Sequence, residues 1–246
     1  MRKISGRFGA VAGITALMGM MLAAAVASPA QTYIVAKNFK GSPDGAAPAG
    51  GLIRDTAGNL YGTTQDGGNA NCGGGCGTVF KLSIGGESVL YSFTGYPTDG
   101  EYPEAGLVRD TAGDLYGTTL EGGNYGYGTV FKLDATGKET VLYSFLGTPP
   151  DGASPFGGLV RDAAGNLYGT TYSGGDFVCQ CGMVFKIDPS GKETVLYSFT
   201  GGTDGSNPVA GLVHDSSGNF YGTTYFGGGA ASVSYTHLTL PTILRV

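Results

Sequence analysis

The sequence predicts an all-β fold, a β-propeller-like array of four-stranded antiparallel blades that is incomplete at about three and a half blades. Three observations predict it. The phrase Gly-Leu-(Val/Ile)-x-Asp-x-x-Gly-(Asn/Asp)-(Leu/Phe)-Tyr-Gly-Thr-Thr occurs four times, starting at Gly51, Gly106, Gly158 and Gly211. Its spacings of 55, 52 and 53 residues fall in the range where a repeat means a blade or a solenoid turn. Each copy is built from short β-favouring runs separated by Gly-containing turns. Glycine, 47 of 246 residues, recurs at fixed places in the repeat and forms no tract, which reads as turns and close-packed β structure and not as a disordered linker.

The second copy shows the elements in order. Residues 105–110 form a short apolar run, closed by the turn chemistry of Thr111-Ala112-Gly113-Asp114, and Leu115-Tyr116-Gly117-Thr118-Thr119 resumes β-favouring residues, so a hairpin is expected. After a Gly-rich loop at 121–126, residues 128–133 and 139–145 flank Asp134-Ala135-Thr136-Gly137-Lys138, a second hairpin with its own Gly turn. Four antiparallel strands per repeat result, and four-stranded sheets repeated without helices are expected to bury both faces against neighbours. Connections carrying Asp99-Gly100, Asp151-Gly152 and Asp204-Gly205, each followed by Pro103, Pro155 or Pro208, lead to the next repeat. Blades are expected at about 49–93, 104–145 and 156–199, with a partial one at 210–231.

The two ends read differently. Arg2, Lys3 and Arg7 precede an uncharged stretch at 8–27, the layout of a secretory signal peptide occupying 1–30; the apolar core within it is diluted by Gly and Thr and is short of the roughly 20 residues a membrane span needs. An exported protein, secreted or at the cell surface, is expected, with no span after cleavage. Residues 33–39 align with the fourth strand of a repeat and are expected to form an orphan outer strand that could complete a last blade. From Ser232 the repeat stops. The peptide 233–242 matches, codon for codon, a sequence that resembles a transposase adapter, so 232–246 is set aside as a non-native tail and 31–231 as the partial repeat domain.

Composition excludes several functions. Without the signal and the tail, ten basic residues face 19 acidic ones, a formal charge of −9 that disfavours nucleic acid as a partner. Outside the tail, His214 is the one histidine. That removes most His-based catalysis and His-rich metal sites, and no cofactor or metal is expected.

The phrases Gly-Leu-Val-Arg-Asp-x-Ala-Gly-Asn-Leu-Tyr-Gly-Thr-Thr, Gly-Thr-Val-Phe-Lys-Leu and Thr-Val-Leu-Tyr-Ser-Phe resemble the GloVer tandem repeat of exported bacterial "choice-of-anchor" proteins, over residues 39 to about 229. The resemblance implies a surface or secreted protein of unassigned activity. Similarity of the Asp-x-x-Gly-Asn-Leu-Tyr turn to propellers that include lyases and lactonases concerns the fold and transfers no activity.

Five sets of residues are candidates for a role. Cys72, Cys76, Cys179 and Cys181 are expected as two local disulfides in an exported protein, in preference to a four-thiolate zinc site. Asp55, Asp110, Asp162 and Asp215 open Asp-x-x-Gly turns and are expected to accept their own turn amides, in preference to binding calcium. Arg54, Arg109, Arg161 and His214 are the possible channel or ligand set, either a cationic ring for an anionic ligand or pairs with groups between blades. Tyr61, Tyr116, Tyr168 and Tyr221 suggest a sugar-stacking ladder, with core packing the preferred reading. Glu101, Glu104, Glu121 and Asp176 break the repeat but have no evident common centre. The balance of residues favours a binding or scaffold module for an extracellular ligand, carbohydrate or protein, monomeric at full length, with no catalytic residue assigned. The chain is thus read as more readily not an enzyme; the alternative is a propeller-type hydrolase or lyase acting on carbohydrate or lactone-like substrates. Mass spectrometry of the exported protein should find both cysteine pairs oxidised, and free thiols at Cys72 and Cys76 would overturn the pairing.

Overall fold

Each copy of the repeated phrase folds as the same small meander. A computed structural model describes residues 35–228. The chain divides into Met1–Ala36 and Lys37–Val246, and the strands of the described residues all belong to the second unit. In the first repeat β1 (Ile53–Arg54), β2 (Leu60–Thr64), β3 (Thr78–Ser83) and β4 (Gly86–Ser92) pair in chain order. The second repeat adds β5 (Gly100–Glu101), β6 (Val108–Arg109), β7 (Leu115–Thr119), β8 (Glu121–Gly122), β9 (Thr129–Leu133) and β10 (Glu139–Ser144). Strands β6, β7, β9 and β10 form its sheet and β5 pairs with β8. The third adds β11 (Gly152–Ala153), β12 (Val160–Arg161), β13 (Leu167–Thr171), β14 (Ser173–Gly174), β15 (Met183–Ile187) and β16 (Glu193–Ser198), arranged in the same way. The fourth contributes β17 (Val213–His214) and β18 (Phe220–Tyr221). All pairings between these strands are antiparallel. Among the described residues there is no helix, and none long and apolar enough to cross a membrane.

The repeated phrase explains the register. Gly62, Gly117 and Gly169 stand opposite Phe80, Phe131 and Phe185 on the neighbouring strand. A Cβ at Gly117 would lie 2.7 Å from Phe131 Cζ and 2.9 Å from Leu107 Cδ2, so the glycine is the recess that receives the ring. The paired threonines divide two tasks. Thr63, Thr118 and Thr170 donate to the carbonyls of Ala105, Gly157 and Ala210 in the following repeat. Thr64, Thr119 and Thr171 donate to the carbonyls of Asp66, Glu121 and Ser173 within their own loop. One feature has no sequence signal: β4, β10 and β16 each carry a bulge, at Leu90, Leu142 and Leu196. The extra residue re-aims the strand, and the tyrosine that follows donates to a connection aspartate: Tyr91 to Asp99 at 2.7 Å, Tyr143 to Asp151 at 3.0 Å and Tyr197 to Asp204 at 2.8 Å.

The core lies between repeats. Tyr61, Val79 and Phe93 of the first repeat bury against Leu107, Leu115 and Phe131 of the second. Tyr116, Val130 and Phe145 bury against Leu159, Met183 and Phe185 of the third, and Tyr168, Val184 and Phe199 against Leu212 and Phe220. Edge-on rings mark the seams, with Phe93–Phe131 centroids 5.0 Å apart and Phe145–Phe185 5.1 Å, the geometry that aromatic quadrupoles favour.

The propeller expectation is corrected. The protein is all-β with several four-stranded antiparallel sheets, but none closes into a barrel or propeller-blade arrangement. Residues 35–39 of the expected orphan strand carry no strand, while Tyr33 and Ile34 lie outside the described residues, as do the expected signal peptide and the adapter-like tail. The physical reason is that a strand needs a paired neighbour, and among the described residues none pairs with 35–39. The segment instead packs on the first sheet, with Phe39 against Phe80 at 4.9 Å and Lys37 bridging Asp44 and Glu87.

Glu139 and Glu193, the counterparts of Glu87, have no such lysine. Burial first, then the charges of Asp99 and Asp151, lift both carboxyls to about 7, and one oxygen of each is buried without a hydrogen-bond partner. Because the folded values are raised, their contribution to stability is full below the ordinary glutamate range near 4.5 and is lost as pH rises through about 7. Urea unfolding should therefore show stability falling across that window by about 1–2 kcal/mol for each glutamate, and Glu139→Gln with Glu193→Gln should flatten the slope. In the same assay Gly117→Ala should cost about 1–3 kcal/mol by overpacking the Phe131 recess.

Candidate functional site

The turn that opens each hairpin positions the polar groups at the seams. Asp55 accepts the Asn59 backbone amide at 2.8 Å, the Asn59 side-chain amide at 2.8 Å and the Tyr61 hydroxyl at 3.0 Å. Asp162 does the same with Asn166 and Tyr168, and Asp215 with Asn219 and Tyr221. Asp110 accepts the amides of Ala112 and Asp114 and the Tyr116 hydroxyl. The chain turns at Gly58, Gly113, Gly165 and Gly218, whose φ lies between 83° and 98°, a conformation that glycine adopts without a Cβ penalty. Hydrogen bonds led by the Asn219 side chain hold the Asp215 carboxyl down at about 2. At Asp162, burial works upward, but the bonds from Asn166 and Tyr168 win and keep it below the usual range.

Tyrosines 61, 116 and 168 are buried at the seams, and the residue preceding each following turn reaches back toward them. Arg109 lies over the Tyr61 ring at 5.7 Å, and Arg161 over Tyr116 at 5.5 Å with Asp110 3.9 Å away. In the third seam that position is His214. Its ring lies 6.0 Å from Phe220, which in turn stacks on Tyr168 at 4.5 Å, and its Nδ1 is 3.2 Å from the Asp215 carbonyl. Arg54 has no ion pair among the described residues. The four members of the channel set do not face one common space. Arg109 lines a cavity of about 150 Å³ with Tyr61, Lys81 and Leu115, whereas His214 lines one of about 290 Å³ with Asp162, Tyr168, Asp215 and Phe220.

The second cavity collects the groups best suited to chemistry. Burial, then the Asp162 carboxylate, pushes the Tyr168 phenol up to about 12, so it stays a hydrogen-bond donor near neutral pH. The two aspartates stay ionised there. His214 is exposed at the cavity, with its imidazole beside these groups.

The other candidates are engaged locally. Glu101 accepts the Tyr96 amide and stands opposite Glu121 in the ribbon, Glu104 accepts from Gln65, and Asp176 accepts the amides of Val178 and Cys179. Cys72 is joined to Cys76 and Cys179 to Cys181, leaving no free thiol. Among the described residues no acidic, cysteine or histidine cluster could hold a metal ion. Sequence reasoning missed Lys81, whose cation lies 5.8 Å from the Tyr61 centroid, and Lys132, paired with Asp114 at 2.6 Å. Their signal was the recurring Phe-Lys of the third strand, set against the Asn or Asp that ends each turn.

The sequence profile of the family described as the Gloeobacter/Verrucomicrobia repeat matches residues 4–235. No curated protein matches. Among solved structures, similarity is found to one described as "the putative gluconolactonase in protein family", with 15% identity, TM-score 0.45 and 76% of this chain covered. A second, from Thermus thermophilus, is described as "the putative oxidoreductase (glucose dehydrogenase)", with 17% identity, TM-score 0.45 and 74% covered. This chain spans 59% of the length of each. Both are described as enzymes, and the expectation that this chain is more readily not an enzyme is withdrawn on that finding. Likeness at this level assigns no activity. Asp162→Ala, which strips three hydrogen bonds from the turn beside the larger cavity, should lower unfolding stability by about 2 kcal/mol, with Asp162→Asn losing less.

Proposed function

The chain belongs to the Gloeobacter/Verrucomicrobia repeat family, and from that premise we propose that it is an exported hydrolase or lyase acting on carbohydrate or lactone-like substrates in the His214 seam. One observation carries the reading: the repeat's arginine gives way to histidine at one seam, and a cavity of about 290 Å³ lies beside that histidine. In a pseudo-symmetric array a reactive centre needs one seam unlike the others. Two loop disulfides support an oxidising compartment outside the cytosol.

The chemistry follows from the lining. A neutral His214 imidazole accepts a proton from water as the water oxygen attacks a lactone carbonyl carbon. The ring C–O bond then breaks, and the departing alkoxide recovers the proton from the imidazolium. Asp162 and Asp215, held ionised by their turns, stabilise that imidazolium by charge and disfavour anionic substrates. The Tyr168 and Phe220 rings supply the apolar platform against which a sugar face packs.

Purified protein should hydrolyse a neutral sugar lactone such as gluconolactone, followed by pH-stat. His214→Arg restores the residue of the other seams and should keep the fold while lowering turnover at least about 100-fold, the lower range for a general base. Binding without turnover would return the chain to a binding module. Turnover unchanged in both His214→Arg and His214→Ala would remove the His214 seam from the reaction.

A further inference from the structure

The seam between the first two sheets differs from its neighbour in a way that leaves two cations without a carboxylate partner. In the second repeat the turn ends in Asp114, which pairs with Lys132 at 2.6 Å, and Arg161 faces Asp110 at 3.9 Å. In the first repeat the turn ends in Asn59, whose side chain is bonded to Asp55, so Lys81 has no carboxylate to meet. Among the described residues neither Lys81 nor Arg109 makes an ion pair. Both lie over the same Tyr61 ring, at 5.8 and 5.7 Å, and both line the cavity of about 150 Å³.

We infer that this seam is a binding site for a small organic carboxylate of the sugar-acid class, with Lys81 and Arg109 holding the carboxylate. The volume corresponds to about five waters, enough for one compact ligand. The remaining lining decides the class. Leu90, Leu115, Leu133 and Ala135 supply apolar surface, which suits a ligand with one charged group and one apolar face better than a fully hydrated inorganic anion. The one carboxylate in the lining, Asp134, turns its Oδ1 to the Thr136 amide and hydroxyl and the Lys138 amide. The lining thus carries two cations and one carboxylate, with the Asp55 carboxylate behind Tyr61 held by its own turn. The site lies in a different seam from His214 and stands or falls separately.

The test is calorimetric titration of the full chain at low ionic strength with sodium galacturonate, with galactose and inorganic phosphate as comparisons. Galacturonate should bind saturably and galactose at least about tenfold more weakly, with affinity falling as salt rises. Lys81→Met and Arg109→Met should each weaken galacturonate by roughly fivefold or more. Asn59→Asp rebuilds the arrangement of the second repeat, where the turn aspartate captures the lysine, and should weaken binding similarly while leaving the thermal unfolding midpoint in place. Absence of galacturonate binding, equal binding of galactose, phosphate binding as tightly as galacturonate, or an Asn59→Asp variant that binds like the parent would each overturn the inference.

Discussion

No repeat of this protein completes its own core. Phe93 and Phe145, which follow the fourth strands of their repeats, meet the third-strand phenylalanine of the next repeat edge-on, and that ring in turn fits only because a glycine faces it across the strand pair. The constraint is steric, since a Cβ at Gly62, Gly117 or Gly169 would sit within 3 Å of a ring carbon. Stability therefore resides in the contacts between neighbours, as in other repeat architectures. Phe39 shows how general the rule is: it fills the same place against Phe80 from a segment that is not a strand.

Each described seam buries a phenylalanine from the end of one sheet against the next repeat, and the chemical differences lie at the few polar positions around the seam tyrosine. The aspartate of the turn holds the tyrosine hydroxyl, the residue before the turn reaches back to the ring, and the third-strand lysine approaches from the side. Changing Asp114 to its counterpart Asn59 leaves a lysine without its ion pair, and changing Arg161 to its counterpart His214 replaces a guanidinium with an imidazole. The same geometry thus yields a paired seam, a cationic seam and a seam with an imidazole among carboxylates.

Much of this was legible in the sequence. The four turns at Gly58, Gly113, Gly165 and Gly218 and the strands that flank them follow from Asp-x-x-Gly chemistry and alternating β-favouring residues, and the cysteine spacing, read with the expected signal peptide, pointed to local disulfides. Closure was not legible. Residues 33–39 align with a fourth strand, but pattern records side chains and not whether a partner strand precedes them. The bulges at Leu90, Leu142 and Leu196 leave no mark because a bulge shifts pairing without altering composition. The elevated Glu139 and Glu193 arise from what lies across the seam, where no residue near them in sequence carries the signal. The seams that depart from the repeat were half legible: His214 stood out as a departure, whereas Lys81 looked identical to Lys132 until the turn residue opposite each was known.

Function is proposed where a seam departs from the repeat. Chemical-shift mapping of the isotope-labelled protein with a neutral sugar lactone and a sugar acid, each added separately, addresses that placement without relying on turnover. Two separate footprints are predicted, the lactone perturbing Val160, Tyr168, His214 and Phe220 and the acid perturbing Tyr61, Lys81 and Arg109. Perturbations confined to the ribbon around Glu101 and Glu121, or a single footprint shared by both ligands, would contradict it.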